Sequence, residues 1–274
     1  MKNLNLMVIA TVALAAVACG PKKEAPKMLV LYYSQTSNTK AVAEELAKQL
    51  GADVEAIVPT VPYDGDYQAT IERGRAELEQ GIRPEIQPIA ADIDKYDVLF
   101  IGYPVWFGTY APPIATFLAN ADLSGKKIVP FCTFGSGGLE SSTKAMAEAA
   151  PGAEVLPGYG VRSARLSAAP AEIDQFLKAS GFVEGECVKL AAFPEQHPAS
   201  TDEAAIFDAA VGDYPMIRAQ ATAVASRAIP GGVEHLFTAT SLPHPDMPDM
   251  PARDMQVYVT VLDGEPPVFT KVVR

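Results

Sequence analysis

Three short stretches of this 274-residue chain carry residue types suited to holding a small ligand. In the first, Ser34, Gln35, Thr36, Ser37, Asn38 and Thr39 set several hydroxyls and backbone N–H groups just ahead of a helical pattern. The dipole and unpaired first amides of a helix favour an anion there. The first basic residue is Lys40, and no G-x-x-x-x-G-K-S/T pattern occurs, so a nucleoside triphosphate site of the Walker type is disfavoured and a single phosphate monoester suits better. A polar turn that only caps a helix has the same composition. The second stretch is Tyr103, Pro104, Val105, Trp106, Phe107, Gly108, Thr109 and Tyr110, and it holds the single tryptophan of the chain. A flat ring placed at the end of a strand suits stacking on a ligand; a lid of aromatics over the core is the alternative. The third, Thr133, Phe134, Gly135, Ser136, Gly137 and Gly138, is dense in glycine, which lets backbone approach a ligand closely and leaves N–H groups free to donate. A plain flexible turn uses glycine too.

These stretches act together only if the elements between them deliver all three to one edge. Met28 to Tyr33 is a continuous apolar run of the kind that buried parallel strands show. After the first polar stretch, Val42, Ala43, Leu46, Ala47 and Leu50 recur at helical spacing up to Gly51, a glycine stop. The rhythm then repeats: strand Asp53 to Val58, helix Ala69 to Glu79, strand Asp97 to Gly102, helix Pro113 to Asn120, strand Lys127 to Cys132, helix Ser142 to Ala149. A last pair, strand Val155 to Val161 and helix Ala171 to Ser180, closes a five-stranded unit at about Gly181. Such alternation predicts an α/β fold, a doubly wound parallel sheet covered on both faces. Ligands of these sheets bind beyond the carboxyl ends of the strands, where the stretches after Tyr33, Gly102 and Cys132 meet.

SQTSNT, GYPVWFGTYAPP and PFCTFGSGG, in this order and spacing, resemble the flavodoxin family. The resemblance covers about Lys27 to Gly181 and implies a five-stranded sheet of order 2-1-3-4-5 with FMN at its switch point. By motif match it implies that Ser34, Thr36, Asn38 and Thr39 hold the phosphate. Pro104 to Gly108 then border the flavin ring, with Trp106 as the stacking candidate, and Thr133 to Gly138 line its pyrimidine side. The flavin supplies the redox chemistry, so no side chain need act as acid or base. One position departs from the family pattern: Ser37 stands where flavodoxins commonly have glycine. Cys132 ends an apolar strand and reads as a small buried hydrophobe outside the chemistry.

At the amino terminus, Lys2 precedes an apolar run from Leu4 to Val17 broken only by Asn5 and Thr11, then Ala18 and Cys19. This is a secretory signal peptide, too short to span a membrane. Cys19 after Ala18 resembles the lipobox of bacterial lipoproteins, which implies acylation of the thiol and an exported protein anchored to a membrane of the cell envelope. Ala16 sits where that pattern prefers leucine or valine, and an ordinary signal peptide cut nearby is the alternative. With Cys19 set aside, Cys132 and Cys187 do not make a disulfide framework. The net charge of −11, with no basic cluster larger than Lys22-Lys23 or Lys126-Lys127, excludes the footprint that nucleic acid requires.

The expected organisation is therefore a signal peptide over residues 1–18, a tether over 19–26, the flavodoxin-like domain over 27–182, and a smaller α+β domain over 183–274. In the last, a helical stretch from Glu203 to about Ala225 precedes alternating runs at His235 to Thr240, Met255 to Leu262 and Val268 to Val273, which predicts a helix against antiparallel strands. The order resembles a cystatin-like domain, with Arg227 to Gly231 at the first hairpin, although Arg replaces its Gln and the later hairpin near Glu265 has no tryptophan. Leu242 to Pro251 reads as a solvated proline-rich connection. Three functions fit: an electron-transfer flavodoxin, an FMN-dependent reductase of quinones or another small oxidant, and a binding module whose second domain engages a protein. The first is favoured because no second nucleotide fingerprint such as G-x-G-x-x-G follows another strand. Its partner would be a redox protein or a small oxidant.

Overall fold

The computed structural model describes residues 25–63, 66–212, 214, 217–243 and 251–273. The segment expected to be a signal peptide, Cys19, and most of the proline-rich connection lie outside the described residues.

The chain runs β1 (Met28–Tyr32), α1 (Asn38–Leu50), β2 (Asp53–Ala56), α2 (Tyr67–Gln80), β3 (Val98–Trp106), β4 (Thr109–Tyr110), α3 (Pro112–Asn120), β5 (Lys127–Phe134), α4 (Leu139–Ala149), β6 (Glu154–Val155), β7 (Tyr159–Arg162) and α5 (Ala169–Ala179). The strands form a parallel sheet in the order β2-β1-β3-β5, and β6 and β7 both pair with β5 as a fifth strand broken in two. Gly160 follows that break, and a Cβ there would meet the Cys132 Sγ at 3.2 Å.

Alternation along the strands sends neighbouring residues to opposite faces. Leu29, Leu31, Leu99 and Ile101 pack with Ile114, Phe117 and Met146 from α3 and α4, whereas Val30, Val98, Phe100 and Val129 pack with Val42, Leu46, Ile173 and Leu177 from α1 and α5. Two apolar layers thus enclose a sheet buried on both sides, which is why its strands read as continuous apolar runs.

Two expectations change. The second stretch is not a loop after Gly102: β3 continues to Trp106, turns through Phe107 (φ 51°) and Gly108 (φ 82°), and returns as β4, with Trp106 paired to Thr109. Two successive positive φ values are what a two-residue hairpin turn matched to strand twist demands. The helix expected from Glu203 to about Ala225 ends at Val211. Residues Ala219–Ile229 form instead a strand, β9, paired along its length with β10 (Gly232–Ser241). The alanines of AQATAVASRAI favour a helix locally, but Ala219, Ala221 and Val224 pack into the core of the second unit. Tertiary burial overrides propensity there.

The second unit is an antiparallel sheet, ordered β12 (Val268–Val273), β11 (Asp254–Leu262), β10, β9 and β8 (His197–Pro198), with α6 (Thr201–Val211) on one face. Phe207 and Val211 of α6 pack on Phe237, Val257, Val259 and Phe269. A reciprocal capping box between Ser200 and Glu203 starts the helix.

Candidate functional site

A cavity of about 500 Å³ opens at the carboxyl ends of the strands. Gln35, Thr36 and Asn38 line it from the first stretch, Pro104, Val105, Trp106 and Phe107 from the second, and Thr133, Phe134 and Gly135 from the third. Ser34, Ser37, Thr39, Gly108, Ser136, Gly137 and Gly138 belong to the same loops but are not among the lining residues. Asp66, Tyr67, Thr70 and Ile71 at the start of α2, and Ser163 after β7, complete the wall. The sequence reading missed these five, although the rule that places ligands at strand ends covers the segments after all five strands.

At the first loop, Ser37 caps α1 in a left-handed conformation (φ 65°, ψ −3°), and its side chain caps nothing. This explains the glycine that flavodoxins prefer there, since a left-handed residue with a Cβ is strained. The Lys40 amide donates to Ser34 Oγ at 3.2 Å and the Ala41 amide to the Ser37 carbonyl at 3.0 Å. Among the described residues, the amides of Thr36, Ser37, Asn38 and Thr39 have no protein acceptor. Thr39 Oγ1 lies 2.8 Å from Thr133 Oγ1 in a buried contact that ties the first loop to the third. Thr39 therefore contributes to the mouth of the helix through its amide. Lys40, half exposed, faces Glu44 at 3.7 Å, which leaves amides and hydroxyls as the donors at the loop.

Gln35 has a role that composition did not reveal. It accepts from Tyr33 Oη at 2.6 Å and donates to the Tyr63 carbonyl at 2.7 Å. Tyr63 in turn donates its hydroxyl to the buried Glu77 carboxylate, which also receives Arg73 Nε at 2.8 Å. Arg73 lies 3.9 Å above the Tyr63 ring and donates to the Pro62 carbonyl at 2.7 Å. Burial, reinforced by the hydrogen bond to Glu77, pushes the Tyr63 phenol up, and burial does the same to Tyr33, so both stay neutral donors.

Trp106 is both cavity wall and packing group. Its ring meets Tyr33 and Tyr63 edge-on, with centroids 5.9 and 5.1 Å away. A Cβ on Gly74 of α2 would lie 3.0 Å from Trp106 Cε3, so the missing side chain lets the indole seat against the helix. Stacking on a ligand and lidding the core thus do not exclude each other. Next to it, Phe107 holds a positive φ that aromatic residues rarely adopt, is 49% exposed, and lies under the Arg75 guanidinium at 5.0 Å. Strain concentrated at a cavity rim is a mark of a functional loop.

In the third loop only Gly138 needs glycine for its backbone, with φ 114° at the start of α4. Gly135 and Gly137 have ordinary φ values, and what a Cβ would meet there belongs to the second unit: Tyr214 Oη at 2.7 Å for Gly135 and the Val272 carbonyl for Gly137. These two glycines thus make room for the second unit, and Gly135 lines the cavity as well. Cys132 is fully buried, and burial pushes its thiol well up, which keeps it out of redox exchange.

The flavodoxin family model matches residues 27–188, more than half of the chain. The chain belongs to the flavodoxin family. This flavodoxin is similar to a protein of Bacteroides eggerthii assigned as a flavoprotein, 30% identical, with a TM-score of 0.51 over 56% of this chain and 97% of that one. A second such protein, from Bacteroides uniformis, is 26% identical with a TM-score of 0.50 and covers 55% and 99%. An NAD(P)H dehydrogenase (quinone) of Gluconacetobacter diazotrophicus is 33% identical over 98 residues, 33% of this flavodoxin and 44% of that enzyme. The flavodoxin thus spans less than half the length of the curated relatives it matches.

Proposed function

We propose that this flavodoxin binds FMN without a covalent bond and passes electrons through it. Family membership supports FMN as the cofactor, and the carrying observation is that one cavity joins unpartnered helix-mouth amides to an aromatic wall. The fit is chemical. A phosphate monoester needs several donors and no fixed cation, which Thr36, Asn38 and the amides of residues 36–39 offer. A flat heterocycle needs an apolar wall and backbone polar groups at its edge, which Pro104 to Phe107 and Thr133 to Gly135 offer. Bound there, FMN supplies reversible uptake and release of electrons, and the protein supplies position and field. Gln35 keeps the first loop fixed against Tyr33 and Tyr63, so the wall and the anion site keep one spacing.

A second reading, an FMN-dependent reductase of quinones, is favoured by the name of the Gluconacetobacter relative and by the exposed Tyr67 and Phe107 at the cavity rim, against which a second flat molecule could lie. The protein purified from cells, examined by visible absorption and by identification of the chromophore released by acid, tests the cofactor. Stoichiometric FMN is expected, and a colourless protein that takes up no added FMN overturns the proposal. Steady-state oxidation of NAD(P)H with a quinone then separates reductase from carrier, the carrier being expected to show none.

We further propose that the chain is exported and anchored through acylated Cys19, with a redox protein or small oxidant of the cell envelope as its partner. Lys2, the apolar run Leu4 to Val17 and the Ala18-Cys19 junction support this. Partition of the wild-type chain into detergent, lost in Cys19→Ser, is the expected result; equal partition of both overturns the anchor.

A further inference from the structure

Resting on the FMN reading, we infer that the C-terminal sheet is a brace for the third loop of the flavin site, so that docking of the second domain and retention of the flavin are coupled. The contact is built from both sides. The Val272 amide of β12 donates to the Ser136 carbonyl at 2.6 Å. Arg162, the last residue of β7, donates through Nε to the Gly135 carbonyl at 2.8 Å and through one terminal nitrogen to the Phe269 carbonyl at 2.5 Å. Its guanidinium lies 4.2 Å from the Phe269 ring centroid and 5.2 Å from that of Tyr214. One side chain thus ties the sheet end, the flavin loop and the second domain together, in the planar, forked manner that lysine cannot reproduce. Lys271 adds an ion pair to Glu140 at 3.3 Å, at the start of α4.

The glycines show that the sequence accommodates this contact. Gly135 and Gly137 adopt backbone conformations open to any residue, so their own geometry does not require glycine. Their missing Cβ atoms make room for Tyr214 and for the backbone of Val272. Gly135 also lines the cavity, and Thr133 in the same loop is hydrogen-bonded to Thr39 at the mouth of α1. A displacement of β12 therefore reaches the loop that borders the ring and, through Thr133, the loop that faces the phosphate. Coupling between two binding events is reciprocal: if docking tightens FMN, FMN tightens docking by the same factor.

The full-length chain tests this with two variants. Gly137→Ala sets a Cβ against the Val272 carbonyl without straining the loop itself, and Arg162→Lys keeps the charge but loses the fork. FMN affinity is read by fluorescence titration and docking by hydrogen exchange of the Val272 amide, with and without FMN. The expected result is FMN binding weakened about fivefold or more in both variants, faster exchange at Val272, and, in the wild type, exchange at Val272 slowed by a comparable factor when FMN is added. That last response is one that a merely structural contact would not give. Variants that expose Val272 to exchange yet bind FMN as the wild type does overturn the brace alone. So does a Val272 amide indifferent to both variants and to FMN. A wild-type chain that takes up no FMN overturns the cofactor reading, and the brace with it. Should Gly137→Ala fail to fold, Arg162→Lys carries both readouts.

Discussion

Ser37 sits in left-handed backbone at the mouth of α1, where its side chain makes no capping hydrogen bond. Its Cβ costs about 1–2 kcal/mol there, against about 0.5–1 kcal/mol of extra backbone freedom that a glycine would have to lose on folding. Ser37→Gly is therefore expected to gain about 0.5 kcal/mol, a rise in Tm of about 1–2 °C by calorimetry, with FMN bound at least as tightly. An unchanged or lower Tm would mean that the hydroxyl has a role the contacts do not show. Trp106→Ala should act on two quantities at once. Loss of ring contact weakens FMN about tenfold, and loss of packing on Tyr33, Tyr63 and Gly74 lowers stability by about 2 kcal/mol. Titration of FMN and denaturant unfolding separate them; full affinity in a destabilised protein would make Trp106 a core residue only. At this scale the sequence showed which loops matter but not how their atoms are used. Hydroxyls of identical type in Ser34, Thr36 and Thr39 differ only in the direction the backbone gives them, and nothing local in the sequence sets that direction.

The elements were legible where periodicity is long and one-sided. β1, α1, β3 and β5 follow from apolar runs and helical spacing because each buries a face of a sheet enclosed on both sides. Misreadings fell where a local preference opposed the tertiary one, as in the alanine-rich β9, and where a strand ran on through polar and aromatic residues, as β3 does to Trp106. Between elements, α2 is held to the site by the buried Glu77 carboxylate with Tyr63 and Arg73. Glu77→Gln leaves the partly buried Arg73 without its countercharge, and a loss of about 2 kcal/mol is expected, or about 4–8 °C in Tm. Because Gln35 hangs on the Tyr63 carbonyl, FMN affinity should fall with it; loss of stability at constant affinity would separate α2 from the site. In the second sheet, His235 is nearly buried, bonded to Ser226 Oγ at 2.8 Å and close to the Phe237 ring. Burial holds its pKa below the ordinary 6.5, with Glu203 pulling weakly the other way. The unfolded chain then binds the proton more readily than the folded one. This stabilisation is complete above pH about 6.5 and is lost as pH falls through the folded value. Thermal unfolding across that window should show a decline that His235→Gln flattens, and identical slopes would contradict the assignment.

At the scale of the whole molecule, the docking of one unit on the other could not be read from sequence. It depends on which atoms fill the space above Gly135 and Gly137, and the chain separates those glycines from Val272 by more than a hundred residues. Charge, by contrast, was legible from composition, with a net value of −11; among the described residues lining the cavity, Asp66 is the single Asp, Glu, Lys or Arg. Uptake of electrons by FMN adds negative charge beside an apolar wall in a negative protein field, and both effects oppose it. The bound couple is therefore expected at a lower potential than that of free FMN. The two causes separate with salt. The Debye length shrinks from about 30 Å at 0.01 M to about 8 Å at 0.15 M, so the field of distant surface carboxylates is screened while the wall of Pro104 to Phe107 is not. A potentiometric titration at both ionic strengths should show the potential rising toward, but not reaching, that of the free cofactor. A bound couple above free FMN would contradict the electrostatic account. A low potential insensitive to salt would assign it to the cavity wall, and acidic surface residues could then be exchanged for partner recognition without changing the driving force.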